Sequence, residues 1–294
     1  MADSTDRSLI SAAQLNRHRI AYRVLLTLVV VIFTLVFIGP LYFLFSDGLK
    51  STTEAVQVPP TIVPAHVHPG TYLSAWSRVG LGRLLVNTLY YAFGALALQL
   101  IFDVAAAYSL SRLRPVLGNV IFALMLATLM IPAAVLVVPQ YVTISDLPLL
   151  HLNLIGSPAA IWLPSVANAF NIFLLKRFFD SIPGELLAAA AIDGASPLRT
   201  LRSVVLPISR PILGVVSIFS LVAVWKDFLW PLLVEYGYNP NRETLNVGIF
   251  EASSTTPQNL VLAASAMAAV PTLVFFLVFQ RNILSGLTAG SLKG

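Results

Sequence analysis

The chain contains no cysteine, which excludes disulfides, thiolate metal sites and cysteine nucleophiles. Charge is scarce as well: Asp, Glu, Lys and Arg make up 11% of 294 residues, against about 25% in soluble domains. No Gly-Lys dipeptide occurs, so the chain cannot cradle ATP phosphates in a G-x-x-x-x-G-K-[ST] loop; if it serves ATP-driven transport, the ATPase is another chain. An H-E-x-x-H pattern, a Ser-His-Asp set and paired carboxylates at a shared depth are also missing, which argues against hydrolytic chemistry. His66 and His68 stand two apart on a Pro-rich stretch without a third ligand nearby, too few for a zinc site.

What the chain has instead is apolar length. Hydrophobic residues make up 57% of the sequence and the mean hydropathy is +0.83. Stretches free of Asp, Glu, Lys and Arg run Val24–Ser46, Leu84–Phe102, Pro115–Ser145, Leu147–Leu175, Pro211–Trp225 and Ala252–Gln280. About 20 apolar residues suffice to cross a bilayer. In lipid only internally bonded helices or closed barrels are viable, and runs that are continuous rather than alternating select helices. The expectation is an all-α polytopic membrane protein with spans near 22–45, 84–108, 118–141, 155–176, 211–234 and 260–281. The first run is too long for a signal-peptide core and no small-residue cleavage pattern follows it, so it is expected to be retained.

Lys and Arg set the orientation. Arg7, Arg17, Arg19, Arg23, Arg112, Arg114, Lys176, Arg177, Arg199, Arg202, Arg210, Arg281 and Lys293 fall on one side, which is expected to be cytoplasmic with both termini. Lys50, Arg78, Arg83 and Arg242 fall opposite, and Lys226 lies inside a span. Basic loops facing anionic lipid account for the net charge of +5 without any nucleic-acid partner.

The first 20 residues form a polar tail, and Asp47–Arg83, with Pro59, Pro60, Pro64 and Pro69, reads as an outer loop of little regular structure. A short basic connection, Ser109–Arg114, follows the second span, and Glu235–Asn259 reads as a longer outer loop with a turn at Asn239-Pro240. Between Phe178 and Pro211 the apolar pattern gives way to a polar, basic insert. There Ser181 can cap a helix through Ala191, and Gly194 past its end can take a left-handed conformation. Ser196 followed by Pro197 signals a second start, and Pro207 its end. Leu198, Leu201 and Val205 share one face of that second helix.

Several polar positions invite two readings. Glu185 and Asp193 flank the Ala188–Ala191 run, where they either meet basic residues of a partner or punctuate their own helix. Lys226-Asp227 either lines a polar lumen with Trp225 and Trp230, or forms an interfacial pair anchored by those Trp. Asp103 is expected to pair with Arg112 or another base at the inner end of its span. Asn87, Asn168 and Asn171 read as glue between helices, and Pro132, Pro139 and Pro164 either shape a cavity by kinking or are ordinary packing.

At Glu185-Leu-Leu-Ala-Ala-Ala-Ala-Ile-Asp-Gly194, with Val204-Val-Leu-Pro207 ten residues on, the insert resembles the EAA loop of binding-protein-dependent ABC importer permeases. Three further segments are similar to the carbohydrate-importer subfamily typified by MalG. They are Ala105-Ala-Ala-Tyr-Ser-Leu-Ser-Arg112, Trp225-Lys-Asp-Phe-Leu-Trp-Pro231 and the tail Gln280–Gly294. The resemblance implies a bacterial inner-membrane permease with a tail at 1–20, a six-span domain at 21–285 carrying a coupling insert at 177–210, and a C-terminal tail at 286–294. Glu185, Ala188, Ala189, Ala190, Asp193, Gly194, Ala195, Leu206 and Pro207 would seat in a cleft of a cytoplasmic ATPase, and Leu287, Thr288, Ala289 and Gly290 would reach the same partner. Asn171, Trp225, Asp227 and Trp230 would face the substrate pathway. The implied partners are a second, MalF-like permease, an ATPase dimer holding ATP and Mg, an extracytoplasmic sugar-binding protein and membrane lipid; this chain would bind no cofactor. The chain departs from the motif at Ala188, which stands in place of the motif Glu, and Glu185 one turn earlier is the candidate replacement. Lys226 stands where the subfamily has Asn. The rival class is a secondary transporter, which should show internal repeats and broken midplane helices; no internal repeat is visible.

Overall fold

The computed structural model describes residues 19–289 and their side chains over 20–278. Among the described residues no strand forms; the one extended feature is an isolated bridge between Leu147 and Leu152. Helix α1 (Arg19–Asp47) leads through a short turn, α2 (Thr52–Ala55), to α3 (Gly70–Val79) and α4 (Leu81–Tyr108). Next come α5 (Gly118–Thr128), α6 (Ala133–Ser145), α7 (Pro158–Ser165) and α8 (Ala169–Ser181). The insert contributes α9 (Gly184–Ile192) and α10 (Pro197–Ile208). The chain closes with α11 (Arg210–Lys226), α12 (Leu229–Val234), α13 (Leu245–Ala252) and α14 (Gln258–Ala289).

Helix α4 is the spine. Its buried positions Leu84, Thr88, Tyr91, Ala95, Gln99, Asp103 and Ala107 recur every three or four residues, the repeat of one helical face. Leu81 and Leu84 join a core cluster with Trp225, Leu245 and Ala263. Tyr91 joins a second with Ile161 and Val234, and Val104 and Ala107 a third with Leu175, Phe179 and Val216. Gly94 lets the facing element approach: a Cβ there would lie 2.4 Å from the Trp162 ring, whose Nε1 donates to the Tyr91 carbonyl at 3.1 Å. By contrast α1 leaves its apolar side chains from Ile20 to Phe37 exposed around the helix, the pattern of a helix facing lipid rather than protein.

By length and composition α1, α4 and α14 can each cross a membrane. The remaining candidates are bent pairs, giving up to six: α5 and α6 bend by 109° and α7 and α8 by 46°, whereas the 83° bend between α10 and α11 is the corner where the insert meets the span that α11 opens. The third span, expected over 118–141, is thus broken at Pro132, the kinking reading of the two that its prolines left open. Pro132 has no N–H to donate, and extended geometry (ψ 131°) at this position stops α-helical bonding at Leu129. The fourth span breaks just after Pro164, where Asn168 restarts the helix by accepting from the Phe170 and Asn171 amides.

The outer segment after α1 is more ordered than its prolines suggest. Thr71, Ala75 and Val79, four residues apart, are buried along α3. The buried Lys50 pairs with Asp47 at 2.5 Å and donates to the Thr61 carbonyl at 2.6 Å. Glu54 accepts from the Ala65 amide and the Thr61 hydroxyl, which hold its carboxyl below the usual range. In the longer outer loop α13 likewise packs inward through Leu245 and Ile249.

Candidate functional site

Two regions emerge, one at each kind of break. The first is a cavity of about 520 Å3 where the interruptions between α5 and α6, α7 and α8, and α11 and α12 converge. Ala133 and Ala134 line it beside the first interruption, Pro164 and Asn168 beside the second, and Asp227 and Trp230 beside the third. Helix ends leave backbone N–H and C=O groups without intrahelical partners, so broken spans bring polarity to membrane depth where continuous ones cannot.

The third interruption is built from Asp227 and Asn246. Helix α11 stops at Lys226 as Asp227 turns extended. Asp227 Oδ1 accepts the Trp230 amide at 3.4 Å, opening α12, and Asn246 Nδ2 donates to the carbonyls of Trp225 and Asp227 at 3.0 and 3.3 Å. Trp230 is fixed by its Nε1 donating to the Ala160 carbonyl at 2.9 Å. Asn246 was missing from the sequence reading, because nothing local marks an asparagine of α13 as the partner of carbonyls about twenty positions earlier.

Of the four pathway candidates, Asp227 and Trp230 share this cavity. Trp225 is buried against Phe275, edge to face at 6.1 Å, and borders a different cavity. Asn171 is buried and donates to Ser220 Oγ on α11 at 3.2 Å, a bond between spans. The Asp103 expectation is corrected: its carboxylate accepts the Asn168 amide at 2.9 Å, while Arg112 points elsewhere. The restarted helix α8 supplies a bare N–H at the depth of Asp103, and that donor takes the carboxylate.

The second region is the insert. Pro183, extended (ψ 131°), precedes α9, and Ser181 ends α8 with its Oγ donating to the Phe178 carbonyl at 2.7 Å. Ser181 therefore does not cap α9, correcting that expectation; the proline restarts the helix two residues later. Gly194 adopts φ +71°, the left-handed turn past α9, and Ser196 Oγ accepts the Arg199 amide ahead of Pro197. Helix α10 runs one residue past Pro207 to Ile208 after a π-helical turn at Leu201–Val205, the widened turn of a helix whose α-bonding a proline interrupts.

Helix α9 buries none of its residues. Glu185, Ala188, Ala189, Asp193, Gly194 and Pro207 are exposed, and Ala190, Ala195 and Leu206 half-buried. Ile192 is 86% exposed and Leu198 56%. What holds the insert is the turn after α4. The Arg112 guanidinium donates to the Phe179 carbonyl and, at 2.9 Å, to that of Ile182. Ser111 Oγ donates to Asp180 at 2.6 Å, Lys176 pairs with the same carboxylate at 2.7 Å, and Tyr108 donates to the Pro197 carbonyl at 3.1 Å. Leu287, Thr288 and Ala289 fall on the last turn of α14; Gly290 lies outside the described residues.

Comparison with known proteins agrees with this architecture. A family described as "Binding-protein-dependent transport system inner membrane component" matches residues 103–283. A sn-glycerol-3-phosphate transport system permease protein, UgpE, of Rhizobium meliloti (strain 1021) is 30% identical over 271 residues, covering 88% of this chain and 94% of its own. The melibiose/raffinose/stachyose import permease protein MelC of Bacillus subtilis (strain 168) is 31% identical over 257 residues, 87% of this chain and 91% of its own. Among solved structures, a chain of a bacterial ABC transporter involved in the import of the acidic polysaccharide alginate superposes with a TM-score of 0.76 at 22% identity, over 93% of this chain and 99% of that one. That likeness shows that the two chains share a fold. The chain belongs to the family of inner-membrane permease components of binding-protein-dependent ABC transport systems.

Proposed function

We propose that this permease carries a sugar or sugar derivative inward as half of an ATP-driven importer, with a second permease as the other half. The ATPase pair, with its ATP and Mg, is a separate chain, an extracytoplasmic binding protein delivers the solute, and both termini face the cytoplasm. Its relatives, by name, serve glycerol 3-phosphate and the melibiose group of oligosaccharides, which supports polyhydroxylated cargo. The permease itself makes and breaks no covalent bond.

The observation that carries the coupling role is the insert: α9 buries nothing of its own, the insert is braced at its root by Arg112, and Ile192 at the end of α9 and Leu198 at the start of α10 are exposed near a smooth alanine flank. A solvated apolar surface on such a brace is a docking surface in want of a partner. Glu185, exposed one turn before Ala188, offers the carboxylate that the motif position lacks. Closure of the ATPase dimer would move this lever and, through the 83° corner between α10 and α11, the broken spans lining the Asp227 cavity. ATP shifts the permease between outward and inward states only through its different affinity for the two. Leu287 to Gly290 at the C-terminal end would meet the same partner.

Replacing Ala189 and Ala190 together by Asp tests this. The variant permease should insert in the membrane yet lose its co-purifying ATPase and its uptake; uptake at the native rate would refute the coupling role.

A further inference from the structure

A second cavity, about 530 Å3, opens between α11, α13 and α14 and shares no residue with the first. Lys226 lines it, whereas Asp227 lines the other. Because α11 ends between them, two adjacent opposite charges face different spaces. Asp227 holds the Trp230 amide; the Lys226 ammonium is exposed and, among the described residues, makes no ion pair or side-chain hydrogen bond, its one charge interaction being the longer-range attraction of the adjacent Asp227. An ammonium at membrane depth is costly and is kept where it meets an anion or a watered pathway.

The surrounding wall has the chemistry of a ligand site. Phe228 and Phe250 meet edge to face at 5.3 Å. Ser253 and Ser265 line the cavity with hydroxyls that already donate to carbonyls of their own helices, at 2.6 and 2.9 Å. Their remaining lone pairs can only accept, which suits the hydroxyls of a polyol. A cation, acceptors and aromatic edges in one cavity describe an acidic, hydroxylated solute.

We propose that Lys226 is a specificity-determining residue that binds the anionic group of the cargo, making the solute an acidic saccharide derivative bearing a carboxylate, phosphate or sulfonate. This rests on the importer reading above and adds the sign of the substrate's charge.

The test uses the complete importer in cells, with this chain native, Lys226→Gln or Lys226→Arg. Uptake of radiolabelled glycerol 3-phosphate, a glucuronate disaccharide, a sulfonated glycoside and neutral melibiose is followed. At least one anion should enter in an ATP-dependent manner, its rate falling at least about tenfold in Lys226→Gln and returning to within about threefold in Lys226→Arg, with subunit co-purification unchanged. Uptake of melibiose alone, uptake of no anion, or anion uptake that Lys226→Gln leaves unchanged overturns the inference. Loss of assembly in Lys226→Gln also overturns it, assigning the lysine to a contact with the sister subunit. ATP-driven uptake of melibiose alone leaves the importer reading standing; ATP-independent uptake, or a permease that brings down no ATPase, refutes that reading instead.

Discussion

Removing the Arg112 brace should loosen the insert without unfolding the spans. The guanidinium donates to two backbone carbonyls, those of Phe179 and Ile182, at the point where α8 gives way to the insert. Hydrogen bonds to charged groups contribute about 1.5–3 kcal/mol each and neutral ones about 1 kcal/mol. Arg112→Gln keeps one neutral donor and loses the charge. Arg112 is only half-buried, so part of the loss is recovered from water, leaving about 2 kcal/mol. At 1.4 kcal/mol per factor of ten, that is about a 30-fold rise in the opening equilibrium of the insert. Hydrogen exchange on the permease in lipid nanodiscs reads this directly: amides of 184–208 should lose about 30-fold of protection while those of α4 and α11 keep theirs. Unchanged exchange in the insert would refute the brace, and uniform loss across the spans would show Arg112 to be a global stability residue.

Three further outcomes follow from the packing and charges. Gly94→Ala should destabilise the permease by about 1–3 kcal/mol, because its Cβ meets the Trp162 ring at 2.4 Å; an unshifted thermal midpoint in detergent would show that the ring yields freely. Asp227→Asn should slow uptake about tenfold while the subunits still co-purify, since one charge-assisted hydrogen bond to cargo or helix end is worth about 1.5 kcal/mol; native uptake removes Asp227 from the pathway. Glu243, 2% exposed beside α13, has its carboxyl pushed up to about 7 by burial and by the hydrogen bond and charge of Glu251, against the pull of Arg83. A raised carboxyl stabilises the fold while protonated, so this contribution is complete below pH 4.5 and is lost as pH rises through about 7, by at most about 3 kcal/mol. Glu243→Gln should flatten the thermal midpoint between pH 4.5 and 8, and an unaltered slope would exclude Glu243 as its source.

The spans were legible because lipid forces continuous apolar runs into helices, and the turn at Gly194 and the cap at Ser196 because both are settled by neighbours in the chain. The breaks were only half legible. Pro132 marks where α-helical bonding must stop, but a bend of 109° rather than a mild kink depends on the helices that pack around it. Asp103 and Lys226 show the limit from the other side. The first finds its donor 65 positions away, in the amide of Asn168, and the second is separated from its neighbouring Asp227 only because a helix ends between them. Asn246 and Arg112 act by reaching carbonyls far along the chain, and a hydrogen bond to a distant carbonyl leaves no local pattern in sequence. The order in the outer segment was hidden for the same reason: Pro-rich spacing suggested a loose loop, but Lys50 is buried and tied to Thr61.

Because the chain has no native cysteine, one introduced at Ala189 is this chain's single thiol and reports on the proposed docking surface. In membranes holding the whole importer, Ala189→Cys should form a disulfide with a cysteine placed in the ATPase cleft and be shielded from a membrane-impermeant maleimide, while in the permease alone it should react freely. Equal, rapid labelling in both, with no cross-link, would contradict the claim that this insert is the lever through which the ATPase moves the spans.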